Sequence, residues 1–239
     1  DAELRLLGAE AGGRDVWFED VELRVHGPAT GHLDSLIVPF TLPDLPEVVW
    51  FVDGLPDEAD PLLSAADALL VDARDLDTPQ LPALVRLARQ RCLVDLSWVR
   101  LRPWRTLMAG LFDGPDFRPF VRHVERAEVW GKAGPRHLLG GWLADRLDLP
   151  PPAVELAPSD HVGMRLHARA PGGAEATFEV VRHHARRVEA RAAVRGGPTS
   201  EAMVSLPEAT PAWGLADALS SLGPDPVYVS ALRRAMPSA

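Results

Sequence analysis

The chain has 239 residues, of which 46% are hydrophobic and 25% charged, and its formal net charge is −9 at pH 7; this composition is typical of a soluble globular protein with one large domain or two small ones. The negative charge argues against general nucleic-acid binding, which needs a basic surface, and no run approaches the roughly 18 uncharged apolar residues of a membrane span. Cys92 is the single cysteine, which excludes an intrachain disulfide and a cysteine-based metal cluster, so we expect a cytoplasmic protein.

The first half of the chain alternates between strand and helix patterns. Its predicted strands are 4–9, 16–26, 47–53, 69–72 and 93–101, and the first two are joined through Gly12 and Gly13. Helical spacing is found at 31–42, 61–68, 79–90 and 104–112. The run EVVWFVD at 47–53 is almost entirely apolar, as expected of a central strand covered on both faces. This alternation predicts an α/β domain, residues 1–118, with a mainly parallel sheet flanked by helices.

The second half predicts a smaller α+β domain, residues 119–239, which begins at a link rich in proline and aspartate. A strand at 123–130 is followed by a helix at 135–147 and by a linker at 149–158, where four of the ten residues are proline. The next predicted strands are 162–170, 176–184, 187–195 and 201–206. Because two glycine pairs separate consecutive strands, we expect them to run antiparallel. Two helices, 211–222 and 226–235, are predicted to close the chain.

The stretch at 95–114, DLSWVRLRPWRTLMAGLFDG, joins a predicted strand to a predicted helix. Apolar residues at positions 104, 107, 108, 111 and 112 have the spacing of one buried helical face. Trp98 and Trp104 lie on the apolar sides of their elements, so we expect both to anchor the core. Three arginines leave the apolar pattern, namely Arg100, Arg102 and Arg105, and we expect Arg105 to lie on the outer side of its helix. They are either solvated or contacts of a partner, since tryptophan-backed arginines are typical of interface hot spots.

Residues 95–105 read Asp-Leu-Ser-Trp-x-Arg-Leu-x-Pro-Trp-Arg and are followed by Leu-Phe-Asp. This combination resembles the signature segment of OpcA-type proteins, the assembly or effector proteins of glucose-6-phosphate dehydrogenase. Three more segments resemble that family in the same order along the chain: LPDLPEVVWFVDG (42–54), DPLLSAADALLVDARD (60–75) and LLGGWLADRL (138–147). Phe51 and Ala73 stand where the family usually has Trp and Ser.

The resemblance implies a non-catalytic assembly factor or allosteric effector that binds and activates glucose-6-phosphate dehydrogenase of the oxidative pentose phosphate pathway. The dehydrogenase would bind NADP and glucose 6-phosphate, so the chain itself is expected to hold no cofactor. The resemblance makes Arg100, Arg102 and Arg105 the candidates for partner contact, and neither a nucleic acid nor a membrane is expected as a partner. Because the chain starts within a strand pattern and family members carry additional residues there, we expect an upstream segment.

An alternative is an α/β enzyme that binds a sugar phosphate or nucleotide at the C-terminal edge of the parallel sheet. Asp53, Asp72 and Asp95 each lie at or within a predicted parallel strand, and ligands of open α/β sheets bind outside the strand ends. Such a carboxylate cluster could hold Mg²⁺, but aspartates at these positions also cap helices or close turns.

Other motifs for catalysis are weak in this sequence. The segment GKAGP at 131–135 lies between a predicted strand and a predicted helix, where phosphate can meet free N–H groups, but it lacks the length and the hydroxyl of a P-loop. The sequence contains no HExxH and no GxSxG, and its eight histidines are not arranged at ligand spacing. We therefore expect neither catalytic residues nor a bound metal.

Overall fold

The computed structural model of the chain describes residues 2–11, 14–184, 186–206, 211–220 and 222–235. Its contacts form two compact units, one of Asp1–Glu47 with Asp57–Ala66 and one of Val48–Pro56 with Asp67–Ala239. The predicted domain division into 1–118 and 119–239 stays a prediction. No helix within the described ranges is long and apolar enough to cross a membrane.

The first unit contains a two-stranded antiparallel sheet. Strand β1 (Ala2–Ala11) pairs with β2 (Arg14–Leu23), with Ala2 opposite Leu23 and Ala11 opposite Arg14. Both predicted strands are thereby confirmed, while the Gly12-Gly13 turn lies outside the described residues.

The predicted helix at 31–42 is present as three short pieces. These are a 3-10 turn, helix α1 and a second 3-10 turn, at Gly27–His32, Leu33–Ile37 and Val38–Phe40. Pro39 explains the break, because proline has no N–H to continue an α-helical ladder. Helix α2 (Leu62–Ala65) is a single turn that follows Pro61.

The second unit contains a three-stranded parallel sheet in the order β3-β4-β5, made of Val48–Trp50, Ala68–Val71 and Cys92–Asp95. The prediction that 47–53 is the central strand is wrong. The central place belongs to β4, whose four residues are all buried, whereas β3 is a half-buried edge strand. Strand β3 is short because the chain turns at 52–54, where Gly54 has a φ of +120° that other residues rarely adopt. Helix α3 (Leu81–Gln90) connects β4 to β5, as predicted.

The predicted strand at 93–101 is also wrong beyond its first three residues. Strand β5 ends at Asp95, and two helices follow it, α4 (Leu96–Arg100) and α5 (Arg102–Gly110). Asp95 starts α4 because its side chain accepts a hydrogen bond from the backbone N–H of Ser97, as an N-cap residue does. The predicted apolar face of α5 is confirmed: positions 104, 108 and 112 are buried and 107 and 111 are half-buried.

The second sheet of this unit has six strands in the order β11-β10-β9-β8-β6-β7. In chain order from β6 to β11 these are Val124–Gly131, Val154–Pro158, Gly163–Arg169, Glu175–His184, Arg187–Val194 and Thr199–Ser205. All neighbouring pairs are antiparallel except β6 with β7. The parallel three-stranded sheet and this mostly antiparallel sheet confirm the predicted fold class.

Strand β7 lies where a linker was predicted. Helix α6 (Ala133–Arg146) leads from β6 back to β7, which makes a parallel strand–helix–strand unit. The prolines at 150–152 lie in and just before a 3-10 turn, and Pro158 is the last residue of an edge strand, where a missing N–H is tolerated. The last two predicted helices are confirmed as α7 (Pro211–Ser220) and α8 (Pro226–Ala235).

Candidate functional site

The signature segment folds into a corner around Asp95, a carboxylate only 1% exposed. One oxygen, Oδ1, accepts backbone hydrogen bonds from Ser97 at 2.8 Å and from Ala73 at 3.0 Å. The other, Oδ2, accepts a hydrogen bond of 3.1 Å from the hydroxyl of Tyr228 on α8. Asp95 therefore joins three segments that are far apart in sequence: the start of α4, the turn after β4, and α8.

Burial dominates the electrostatics of this carboxylate. It raises the pKa of Asp95 to about 6, although the hydrogen bonds from Ala73, Ser97 and Tyr228 act in the opposite direction. Burial and the neighbouring carboxylate raise the pKa of Tyr228 well above its ordinary value. Tyr228 consequently keeps its proton at neutral pH and acts as a hydrogen-bond donor.

Trp98 links the same corner to the start of α8. Its indole Nε1 donates a hydrogen bond of 2.7 Å to Oδ2 of Asp225, and Oδ1 of Asp225 caps α8 by accepting the backbone N–H groups of Val227 and Tyr228. The rings of Trp98 and Tyr228 lie 5.6 Å apart. Trp98 and Trp104 are 4% and 2% exposed, so the prediction that both anchor the core is confirmed.

The three arginines occupy different environments around these tryptophans. Arg100 forms an ion pair with Asp72, and its side chain is 13% exposed. The guanidinium of Arg105 lies 3.3 Å from the centre of the Trp98 ring and donates a 3.3 Å hydrogen bond to the carbonyl oxygen of Trp98. The expectation that Arg105 lies on the outer side of its helix is therefore wrong. Burial lowers the pKa of Arg105 to about 10, which still leaves the side chain charged at neutral pH.

Arg102 is the most exposed of the three, with 52% of its side chain accessible. It extends from the first turn of α5 and forms an ion pair of 2.9 Å with Asp217 on α7. The side chain of Asp217 is less accessible, at 24%, so water screens this pair mainly from the arginine side. Arg102 is thus the arginine of this corner that a partner carboxylate can reach without disturbing the core.

The three aspartates proposed for a ligand site do not form a ligand site. Asp72 accepts the backbone N–H of Arg74 at 3.0 Å and Asp95 that of Ser97, so both cap the turns that follow their strands. Asp53 is exposed in the turn after β3. Across the part of the chain that the structure describes, no group of three His, Cys, Asp or Glu side chains is arranged to hold a metal ion. The interpretation as helix and turn caps is confirmed for Asp72 and Asp95.

The GKAGP segment spans the junction of β6 and α6, as predicted, and packs against the turn after β4. Lys132 forms an ion pair of 2.8 Å with Asp75, which lowers the pKa of that carboxyl. A Cβ atom at Gly134 would overlap the carbonyl oxygen of Ala73, so glycine is needed for this close approach. These contacts indicate a structural function for the segment.

Tyr228 and Asp225 complete the corner from more than 120 residues away, and the sequence analysis does not identify them as functional residues. One signal was available for Tyr228: it is the only tyrosine in the chain, and a buried tyrosine usually needs a hydrogen-bond partner. Asp225 precedes Pro226 and α8, which is the position of a helix cap. Neither signal identifies the residue at the other end of the bond.

Comparisons with known proteins match nearly the whole chain. Residues 1–89 match the family model described as the N-terminal domain of a glucose-6-phosphate dehydrogenase subunit, and residues 91–232 match the C-terminal domain of the same subunit. The two matches meet at the C-terminal end of α3, just before β5.

Two curated relatives are similar to part of the chain. A protein of Synechocystis sp. named OxPP cycle protein OpcA is 30% identical over 150 residues, which cover 59% of this chain and 31% of that protein. The protein of the same name from Nostoc punctiforme is 28% identical over 159 residues, which cover 62% of this chain and 34% of that protein. The matched region therefore spans about a third of the length of these relatives.

Proposed function

This chain belongs to the OpcA-type family of glucose-6-phosphate dehydrogenase subunits, and we propose from that membership that it binds glucose-6-phosphate dehydrogenase and promotes its active form in the oxidative pentose phosphate pathway. The observation that carries the proposal is the match of two consecutive domains of one subunit family to residues 1–89 and 91–232. The chain acts without catalysing a reaction of its own, as an assembly factor or allosteric effector.

A partner of this kind raises activity by binding the active state of the enzyme more tightly than the inactive state. Its effect is limited to the difference between those two binding free energies. NADP and glucose 6-phosphate are bound by the dehydrogenase, so the chain changes the population of competent enzyme and contributes no group to hydride transfer.

The corner formed by α4 and α5 is the proposed contact surface, with Arg100, Arg102 and Arg105 as its cationic residues. Arg102 makes the direct contact, because half of its side chain is accessible and its present partner, Asp217, can be exchanged for a carboxylate of the dehydrogenase. Arg100 and Arg105 are less exposed and stabilise the corner itself. Arg100 is paired with Asp72, and Arg105 is stacked on Trp98.

The test uses the purified chain and the glucose-6-phosphate dehydrogenase of the same organism. NADPH formation is followed with the enzyme alone, with the chain alone and with both, and complex formation is measured by sedimentation. We expect activation by the wild-type chain and no dehydrogenase activity in the chain alone. An enzyme that neither binds the chain nor changes its activity contradicts the proposed function.

Arg102→Glu tests the surface separately from the function. An arginine at the centre of an interface typically contributes about 2 kcal/mol or more, so we expect at least a roughly 30-fold loss of affinity. The matched control is Arg89→Glu, the same charge reversal at an exposed position on α3. If both variants activate like the wild type, the α4–α5 corner is not the contact surface.

A further inference from the structure

Strand β11 is the least covered strand of the six-stranded sheet. It lies at the sheet edge, and its seven residues pair with β10 from Thr199 opposite Ala193 to Ser205 opposite Arg187. On β10 the core-facing residues are buried, but the residues beside them on β11 are not: Ser200 and Ala202 are exposed and Val204 is half-buried. The packing that covers the inner face of the sheet thus stops at β10, and β11 is held mainly by its ladder with that strand.

Most of the usual protections of an edge strand are missing from this strand, and a single charged side chain remains. Edge strands are normally protected from pairing with another chain by lysine, proline, a bulge or very short length. The sequence of β11, TSEAMVS, contains neither lysine nor proline, and its register with β10 is continuous over all seven residues. Its one charged side chain, Glu201, lies opposite Arg191 of β10.

We propose that β11 pairs antiparallel with β11 of a second copy of this chain, about a two-fold axis at Ala202, and so forms one continuous sheet of twelve strands. A two-fold axis perpendicular to the sheet keeps each face on its own side, so only residues of the same face can be paired. The registers that satisfy this rule have the two-fold axis beside one residue of the strand, so that this residue lies opposite its own copy in the partner.

Charge and length select one of these registers. A centre at Glu201 places two glutamates directly opposite each other, which is unfavourable. A centre at Met203 pairs only five residues of the strand with five residues of the partner's strand, 201–205 in each. A centre at Ala202 pairs all seven, places Glu201 opposite the partner's Met203, and leaves no like charges opposite each other.

The size of this contact predicts weak association. One seven-residue strand buries less than the roughly 1,000 Å² expected of a stable interface, and each chain carries a net charge of −9. We therefore expect a dimer that forms at tens of micromolar and is strengthened by salt, which screens the repulsion between the chains.

The register is tested by cysteine cross-linking, because Cys92 is the only native cysteine. In a Cys92→Ala background, Ala202→Cys places two thiols opposite each other with Cβ atoms about 5 Å apart. Ser200→Cys, on the same exposed face, places its thiols four residues apart, about 13 Å. With a short bismaleimide at high protein concentration, we expect covalent dimers from the first variant and far fewer from the second.

The pairing itself is tested by sedimentation equilibrium of the intact chain without any other protein. The double variant Thr199→Glu with Ser205→Glu places glutamates opposite each other at both ends of the paired strands and should raise the dimer dissociation constant about tenfold. Each single variant places its glutamate opposite a neutral residue and should associate like the wild type. A monomer at all concentrations, a double variant that dimerises normally, or equal cross-linking at 200 and 202 each overturns the proposal. These measurements contain no dehydrogenase, so they are independent of the proposed function.

Discussion

The hydrogen bond between Tyr228 and Asp95 gives the sharpest test of how the signature corner is held together. Tyr228→Phe removes only the hydroxyl and keeps the ring that packs against Trp98. Oδ2 of Asp95, a residue that is 1% exposed, then loses the hydrogen bond donated by the tyrosine hydroxyl. A buried hydrogen bond to a charged group contributes about 1.5–3 kcal/mol to stability, and one between neutral groups about 0.5–1.5 kcal/mol.

The pH dependence separates this bond from a simple packing effect. The pKa of Asp95 in the folded chain is about 6, above the value of about 3.9 in an unfolded chain. The folded state therefore binds more protons between these pH values, and the ionised carboxylate makes the fold less stable as pH rises through that window. Because the tyrosine hydroxyl stabilises the ionised form, its removal should cost more at pH 8 than at pH 5.

The assay is urea unfolding of the wild-type chain and of Tyr228→Phe at both pH values, with the difference in unfolding free energy taken within each pH. We expect a loss of about 1.5–3 kcal/mol at pH 8 and a smaller loss, about 0.5–1.5 kcal/mol, at pH 5. Equal losses at the two pH values would show that Tyr228 stabilises the corner by packing alone. A variant as stable as the wild type at pH 8 would refute the assignment of this hydrogen bond altogether.

Three further substitutions test the same unit. Asp95→Asn keeps an oxygen acceptor but cannot ionise, so the decrease in stability between pH 4 and pH 6.5 should be smaller by about 2 kcal/mol or more, measured by urea unfolding across that range. Trp104→Ala should destabilise the fold by about 3–5 kcal/mol, because this side chain is 2% exposed, and an unchanged denaturation midpoint would contradict its burial. Gly134→Ala should lower the melting temperature, since its Cβ would overlap the carbonyl oxygen of Ala73 and overpacking costs about 1–3 kcal/mol, whereas Gly110→Ala, with no atom closer than 3.9 Å to the added carbon, should not.

Sequence periodicity predicted the fold class because most elements have a clear apolar pattern. Strand β4 is apolar at all four positions and helix α5 has a regular buried stripe, and both lie where they were expected. Periodicity failed at residues 96–101, where Leu96 and Trp98 alternate as in a strand, because the short helix α4 is buried on all sides: Leu96, Ser97, Trp98 and Val99 are all buried, so no polar face marks the helix in the sequence. The deciding interaction is the hydrogen bond by which Asp95 caps α4, and a cap is one of the two roles that the sequence indicates for Asp95.

The linker prediction at 149–158 failed for a different reason. Four prolines in ten residues predict a linker, but Pro158 ends an edge strand, where an N–H is not required. The partners of the signature segment could not be predicted, because pairing Asp95 with Tyr228 or Trp98 with Asp225 depends on how α8 packs against α3 and α6. Local sequence patterns identify residues that need a hydrogen-bond partner when buried, but they do not identify which residue that partner is.

The three arginines show why an interface test depends on these buried partners. Arg105 lies over the Trp98 ring, and the negative charge of Asp225 stabilises its charged form. Glutamate at position 105 would lose the ring contact and face that carboxylate, so lost activation in this variant would report a damaged corner as readily as a damaged interface. Glutamate at position 100 would face Asp72 in the same way.

Arg102 reduces this ambiguity because 52% of its side chain is exposed, so a glutamate there can turn into solvent, away from Asp217, whose side chain is 24% exposed. A charge reversal there changes the surface while Asp95, Trp98 and Tyr228 keep their bonds. The melting temperature of Arg102→Glu should therefore stay within a few degrees of the wild-type value, since about 1 kcal/mol corresponds to roughly 2–4 °C in a protein of this size. Only with that result does a loss of dehydrogenase binding assign the contact to this side chain.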